Sequence, residues 1–100
     1  YLSDVYCIVG NTEGGITVYN ILTRTLYRRF RCSDEIFHMQ VVGNLLFVAC
    51  GRLEIYDLNS GRQVNKIAVQ GDIIDFVVLG SHIFCVCHSQ ESISVVSVTL

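Results

Sequence analysis

The sequence contains an internal repeat of 37 residues. A shift of that length places identical residues on each other, namely Ile36 on Ile73, Gly43 on Gly80, Phe47 on Phe84 and Cys50 on Cys87. Further upstream, it places Val18-Tyr19-Asn20 on Ile55-Tyr56-Asp57. Tyr6–Gly10 also matches Phe47–Gly51, if the longer segment Asn11–Gly15 absorbs four additional residues. A period of about 20 to 50 residues is typical of chains built from one stacked supersecondary unit.

Each unit consists of short segments rich in Val, Ile, Phe and Tyr, separated by Gly, Asn and Ser, which is the pattern of strands and turns. The predicted strands are Val5–Val9, Ile16–Ile21, Thr25–Arg31, Ile36–Val42, Leu45–Cys50, Leu53–Leu58, Gln63–Val69, Ile73–Leu79, His82–Cys87 and Ile93–Val98. Two-residue connections at Gly43-Asn44, Gly51-Arg52 and Gly80-Ser81 require antiparallel hairpins. Asn59-Ser60-Gly61 predicts a type I turn followed by a left-handed glycine.

The predicted strands are apolar on both faces, as in Leu45–Cys50 and Ile73–Leu79. An antiparallel sheet with one face in water alternates apolar and polar residues, so these sheets must be covered on both sides. Four-stranded antiparallel meanders of this kind, repeating about every 40 residues, are the blades of a β-propeller. We therefore predict an all-β partial ring over residues 1–100, with blade parts at roughly 1–31, 32–69 and 70–100.

The segment Ile55–Arg62 resembles the end of the third strand and the following turn of a WD40 repeat, with Tyr56 in place of tryptophan, and Val18–Thr23 is a weaker copy. The chain departs from that family because no Gly-His dipeptide precedes a repeat and it contains no tryptophan. The family's Asp-His-Ser/Thr-Trp network therefore cannot be drawn on it. The resemblance implies a rigid protein–protein interaction scaffold in a larger intracellular protein or complex. Its expected partners are other proteins and the remaining blades of its own propeller.

In a propeller, the loops that join the second to the third strand, and the fourth strand to the next blade, lie at one end. Here these loops vary in length, and variable loops on a fixed scaffold are where binding residues concentrate. The candidate partner-binding residues are Asn11, Thr12, Glu13, Ser33, Asp34, Glu35, Arg52, Gln70, Asp72, Gln90 and Glu91. The alternative interpretation is that they are solvated connectors.

Two further groups of side chains are candidate sites. His38 and Asp75 are equivalent under the repeat and lie on the predicted innermost strands of neighbouring blades. They form a candidate polar pair that lines the central channel of the propeller. The alternative is two separately satisfied polar groups. The basic rim consists of Arg24, Arg28, Arg29 and Arg31, which lie close together on or next to a predicted outermost strand. It could bind RNA or another polyanion, or it could discourage edge-to-edge pairing of sheets.

No catalytic, cofactor or metal site is predicted. His82 and His88 point to the opposite face of their strand from Cys85 and Cys87, so the four cannot converge on one metal ion. The glycine-rich segment Gly10–Gly15 lacks the Lys-Ser/Thr ending of a phosphate-binding loop. We expect the protein not to be an enzyme.

The composition supports a folded, non-basic chain. With 51% hydrophobic residues and a net charge of −2, it can bury enough surface to fold, and a pI of about 5.8 disfavours a basic nucleic-acid module. Five cysteines, an odd number without a repeated spacing, argue against a disulfide framework. We expect an intracellular location, cytoplasmic or nuclear, no insertion into a membrane, and a chain that is part of a longer protein.

Overall fold

The computed structural model describes residues 5–69, 71–89 and 93–99. Its strands are β1 (Tyr6–Gly10), β2 (Gly15–Asn20), β3 (Thr25–Arg31), β4 (His38–Val42), β5 (Leu45–Ala49), β6 (Leu53–Asp57), β7 (Gln63–Ile67), β8 (Asp72–Leu79), β9 (His82–His88) and β10 (Ile93–Thr99). Each of the ten predicted strands is present, and each end lies within two residues of its predicted position. The described residues contain no helix that is long and apolar enough to cross a membrane.

The strands form three antiparallel sheets in which the spatial order of the strands follows the chain. We call them sheet 1 (β1–β3), sheet 2 (β4–β7) and sheet 3 (β8–β10). Sheet 2 is a four-stranded meander, as predicted for one blade. The innermost strand β4 of sheet 2 and the innermost strand β8 of sheet 3 lie next to each other.

Two of the three predicted two-residue hairpins are confirmed, because Gly43-Asn44 joins β4 to β5 and Gly80-Ser81 joins β8 to β9. The prediction for Gly51-Arg52 is wrong, since the connection between β5 and β6 has three residues, Cys50–Arg52. Cys50 N–H donates to the Arg52 carbonyl at 2.9 Å and closes the turn. Gly51 is thereby free to form two backbone hydrogen bonds with Ile73 of sheet 3, at 3.3 and 2.8 Å.

The repeat is visible in the turns that follow β2 and β6. Asn20 and Asp57 each accept two backbone amides of the following turn, at 2.7–3.3 Å. Gly61 then has the predicted left-handed conformation, with φ of +75°, and the equivalent residue in sheet 1 is Arg24, with φ of +58°. A side chain in this conformation costs about 1–2 kcal/mol, which glycine avoids.

Strand pairing corrects one detail of the repeat. Tyr6 pairs with Asn20, and Leu45 pairs with Asp57, so Tyr6 corresponds to Leu45. The predicted match of Tyr6 with Phe47 is therefore wrong, because the β1–β2 loop is longer by two residues rather than four. The predicted alignment of β1 is thus displaced by two residues. Because side chains alternate between the two faces of a strand, each residue of β1 still lies on its predicted face.

Two apolar clusters hold the three sheets together. One lies between sheets 1 and 2 and contains Ile8, Val18, Leu46 and Val48; the other lies between sheets 2 and 3 and contains Phe47, Ile55, Phe76 and Ile83. Alternate residues of β5 enter opposite clusters, so the strand is buried on both faces. Each buried side chain of this size contributes about 1.5–3 kcal/mol relative to leaving it exposed.

Candidate functional site

The connections between strands gather at two ends of the sheets. One end, called the loop end, carries residues 11–14, 32–37, 50–52, 68–69 and 71. Backbone hydrogen bonds connect these loops to one another and to the adjacent strands, as from Cys32 N–H to the Gly14 carbonyl at 2.9 Å and from Phe37 N–H to the Ala49 carbonyl of β5 at 2.8 Å. The opposite end, called the turn end, carries the turns 21–24, 43–44, 58–62 and 80–81.

A buried carboxylate organises the loop end. Glu54 lies in the middle of sheet 2 with only 2% of its surface exposed. Its Oε2 accepts the Ser33 hydroxyl at 2.7 Å, the Ser33 backbone amide at 3.3 Å and Arg52 Nε at 2.9 Å. Its Oε1 accepts the Tyr56 hydroxyl at 2.5 Å. The four residues thus connect the β3–β4 loop, the β5–β6 loop and β6.

Opposing effects act on the charge of Glu54. Burial by itself raises the pKa of the carboxyl, but the hydrogen bonds from Tyr56, Ser33 and Arg52 outweigh it and lower the pKa to about 2. Burial, followed by the hydrogen bond to Glu54, raises the pKa of Tyr56. The hydrogen bond to Glu54 also raises the pKa of Arg52. This centre is therefore a carboxylate, a neutral phenol and a guanidinium at neutral pH.

Two cysteines pack against this centre. Cys32 donates to the carbonyls of Gly14 and Asp34, both at 3.3 Å, and Cys50 lies 3.8 Å from the Ser33 hydroxyl. Burial raises the pKa of both thiols, that of Cys50 to about 12. A Cβ at Gly14 would lie 2.7 Å from the Cys32 carbonyl, so only glycine permits this approach of the two loops.

Two of the grooves that the described residues form open at the loop end. One, of about 430 Å³, is lined by Gly10, Asn11, Thr12, Ile36, Phe37, His38 and Met39. The other, of about 290 Å³, is lined by Ser33, Asp34, Cys50, Gly51, Arg52, Ala68, Val69, Gly71 and Asp72. The Glu54 centre thus holds two groove residues, Ser33 and Arg52, in fixed positions.

Most predicted partner-binding residues lie at the loop end. These are Asn11, Thr12, Glu13, Ser33, Asp34, Glu35 and Arg52; Asp72 lies next to the loop end as the first residue of β8, and Gln70, Gln90 and Glu91 lie outside the described residues. Asn11 and Asp34 also shape their own loops, because Asn11 accepts the amides of Glu13 and Gly15 and Asp34 accepts that of Glu35.

The predicted polar pair lies where the innermost strands of sheets 2 and 3 approach each other. His38 Nε2 and Asp75 Oδ1 are 3.6 Å apart, and their side chains are 42% and 59% exposed. The His38 ring also meets the edge of the Phe76 ring, with centroids 5.0 Å apart. The pair therefore lies at a solvent-exposed position of this seam and beside the larger groove.

The four arginines of the basic rim differ in their surroundings. Arg28 is half-buried and donates Nε to the Leu58 carbonyl at 2.6 Å and Nη2 to the Asn59 carbonyl, which connects β3 to the turn of sheet 2. Arg31 donates to the Glu13 carbonyl at 2.9 Å. Arg24 lies in the turn after β2, and Arg29 is exposed on β3.

The sequence did not identify Glu54 as a functional residue, because a single glutamate inside a strand has the pattern of a solvent-facing position. The usable signal was the preceding strand, Leu45–Cys50, whose two apolar faces indicate that the sheet is covered on both sides. Among the described residues, no three His, Cys, Asp or Glu side chains form a group that could hold a metal ion. His82 and His88 are exposed, whereas Cys85 and Cys87 between them are buried.

No protein-family model matches the sequence, and no curated protein matches it significantly. Solved structures do match the fold. The chain is similar to the computationally designed Ika4 protein, with a TM-score of 0.79, 19% identity, and coverage of 94% of this chain and 61% of that one. It is also similar to Saccharomyces cerevisiae Sqt1, with a TM-score of 0.75, 16% identity, and coverage of 96% and 29%.

A further match is the β-propeller domain of Myceliophteria thermophila Cps50 (Swd1), with a TM-score of 0.74, 14% identity, and coverage of 95% and 35%. The chain spans 61% or less of the length of these solved structures. Together with the three antiparallel sheets, these matches confirm the fold class that the repeat and the WD40 resemblance predicted. The chain is a partial ring of β-propeller blades.

Proposed function

We propose that this chain contributes to a protein–protein interaction scaffold, and that its loop end is the surface that binds partner proteins. The observation that supports this most strongly is the Glu54 centre. A buried carboxylate holds Ser33 and Arg52 at the edge of an open groove, so two of the predicted binding residues do not have to be ordered when a partner arrives. Rigid loops of this kind lower the entropy cost of association.

The fold and the location of the grooves support the same assignment. Loops on a rigid β-scaffold are where binding residues concentrate, and both grooves lie among these loops. We further propose an intracellular location, cytoplasmic or nuclear. It is supported by Cys32, Cys50, Cys85 and Cys87, which are packed as small apolar side chains.

The contacts of the basic rim favour protein partners over RNA or another polyanion. Two of its four arginines, Arg28 and Arg31, direct donors to backbone carbonyls of the chain itself. Binding of a random RNA, measured as salt is raised, separates the two functions. The polyanion function requires a steep loss of affinity with salt and a further loss in Arg29→Ala, whereas the protein-binding function requires neither.

Site-specific photo-crosslinking tests the location of the binding surface. A benzophenone amino acid is placed at Thr12 or Asp34 of the loop end, and at Asn44 or Ser81 of the turn end as matched exposed controls. We expect the same partner protein to be crosslinked from both loop-end positions and from neither turn-end position. Equal or stronger crosslinking from the turn end would contradict the proposal.

A further inference from the structure

We propose that the smaller groove of the loop end binds an arginine or lysine side chain of a partner protein. The charged head of that side chain would lie between Asp34 and Asp72, and its aliphatic stem would pack on Ala68 and Val69. This inference rests on the proposed function, because it names the chemistry of the partner that the loop end would bind.

The smaller groove lies within the described molecule and not at its margin. Its lining belongs to the β5–β6 loop of sheet 2 and to the segments that join sheet 2 to sheets 1 and 3. Apolar clusters pack sheet 2 against both of these sheets. The groove is therefore open although the sheets on both sides of it are in place.

The charges that line the groove favour a cation. The charged residues of the lining are Asp34, Arg52 and Asp72. Arg52 is compensated by the buried Glu54 at 2.9 Å, whereas neither aspartate forms an ion pair within the part of the chain that the structure describes. A carboxylate or phosphate that approached Arg52 would be repelled by both aspartates, whereas a cation is attracted by both. The groove thus selects a basic partner group over an acidic one.

The backbone that carries Asp34 is held in place. Ser33, which precedes it, donates its hydroxyl to Glu54 at 2.7 Å and its amide at 3.3 Å. Cys32 donates its thiol to the Asp34 carbonyl at 3.3 Å, and Asp34 Oδ1 accepts the Glu35 amide at 2.8 Å. The carboxylate on this side of the groove is therefore fixed before a partner arrives, which lowers the entropy cost of binding.

The backbone that carries Asp72 is held in place from the other side. Ile73, which follows it, forms two backbone hydrogen bonds with Gly51, at 3.3 and 2.8 Å. A Cβ at Gly51 would lie 3.4 Å from Asp72 Oδ1, so this carboxylate lies directly beside the β5–β6 loop. The two aspartates are thus attached to separate, ordered segments that both line the groove.

The size and the apolar part of the groove match one long side chain. Its volume of about 290 Å³ is at the lower limit of the range of about 300–1,000 Å³ that is typical of small-molecule pockets. Ala68 is exposed and Val69 is half-buried, so both offer apolar surface to the groove. Arginine and lysine bury their aliphatic stems on such surface while the charged head remains at a polar position.

Selection of peptides from a random library displayed on phage provides the test, with the purified protein as the bait. The affinity of each selected peptide is measured by fluorescence anisotropy for the wild type and for three variants. The first combines Asp34→Asn with Asp72→Asn and removes the two charges, and the second, Ala68→Trp, fills the groove. The control combines Asn44→Lys with Ser81→Lys, which changes the net charge equally at exposed positions of the turn end. Circular dichroism verifies the fold of each variant.

We expect the selected peptides to be enriched in arginine or lysine. The Asp34→Asn, Asp72→Asn variant and Ala68→Trp should each weaken their binding about tenfold, since two charge pairs or the groove itself are lost, and the control should change it less than about twofold. Where the double variant does not fold, Asp34→Asn and Asp72→Asn are tested separately, with about a threefold loss expected for each.

The other outcomes separate this inference from the proposed function. Neutral or acidic peptides whose binding is weakened by Ala68→Trp would overturn the basic partner group and leave the loop end as the binding surface. Binding that neither groove variant weakens, or a selection that enriches no peptide, would also overturn the inference. In these two cases, photo-crosslinking from Thr12 and Asn44 decides separately whether the loop end binds partners.

Discussion

Replacing Glu54 by glutamine removes the charge at the centre of the loop end while conserving the shape of the side chain. The amide brings two N–H donors toward Ser33 and Arg52, which already donate to this position. Only the glutamate of this ion pair is buried, since the Arg52 side chain is 37% exposed, and leaving buried hydrogen-bonding groups without a partner costs about 1–3 kcal/mol, and more for charged groups. The displacement of the Glu54 pKa from 4.5 to about 2 corresponds to about 3 kcal/mol, at about 1.4 kcal/mol for each tenfold change in proton affinity. We therefore expect Glu54→Gln to lower the free energy of unfolding by about 3 kcal/mol at neutral pH.

The same substitution should change how stability depends on pH. The pKa of Glu54 is lower in the folded chain than in the unfolded chain, so the unfolded state binds this proton more tightly. The contribution of Glu54 is therefore complete above about pH 4.5 and is lost as the pH falls toward 2. The stability of the wild type should decrease through this window, and the difference between wild type and Glu54→Gln should shrink with it.

Urea titrations followed by circular dichroism, at one protein concentration and at a series of pH values, measure both effects. Glu35→Gln is the control, because Glu35 is an exposed carboxylate of the same loop end. It should change the free energy of unfolding by no more than about 0.5 kcal/mol. If Glu54→Gln keeps the wild-type stability at neutral pH and the wild-type acid dependence, the assignment of Glu54 as the organising group is refuted.

Three further predictions concern the turn end and the buried thiols. Arg24→Gly should raise the free energy of unfolding by about 0.5–1 kcal/mol in thermal unfolding, because it relieves the left-handed backbone, whereas Gly61→Ala should lower it. Arg28→Ala should lower it by about 1–2 kcal/mol in urea through the loss of its two carbonyl contacts, and an equal loss in the exposed control Arg29→Ala would contradict this explanation. Cys50, whose pKa burial raises to about 12, should react with a disulfide reagent only after urea unfolds the chain. Rapid modification of Cys50 in native buffer would exclude the buried position described above.

Most of the fold could be predicted from the sequence because local signals and the repeat agreed. Apolar segments separated by glycine located the strands, and the absence of alternation in Leu45–Cys50 showed that both faces of that strand are covered. The repeat also related His38 to Asp75, which the structure places 3.6 Å apart. Equivalent residues on the innermost strands of neighbouring blades approach each other because the blades converge toward the centre.

The Glu54 centre could not be predicted because its partners are distant in sequence and its residue types are ordinary. Ser33 lies 21 positions before Glu54, on a loop whose path depends on how sheets 1 and 2 pack. Arg24 was also missed as a strained residue. Arginine is not a turn signal, and only its equivalence to Gly61 reveals the left-handed backbone.

The burial of β5 on both faces has a consequence for the chain before it folds. Leu45–Cys50 contains no charge and no proline, and such short β-prone segments stack into fibrils when they are exposed. The nearest charged side chain is Arg52, and charges that flank a segment of this kind hinder its stacking. The Arg52 guanidinium, which donates a hydrogen bond to Glu54 in the folded protein, therefore also hinders stacking of this segment in the nascent chain. Its replacement should lower the yield of soluble protein during synthesis as well as the stability of the loop end.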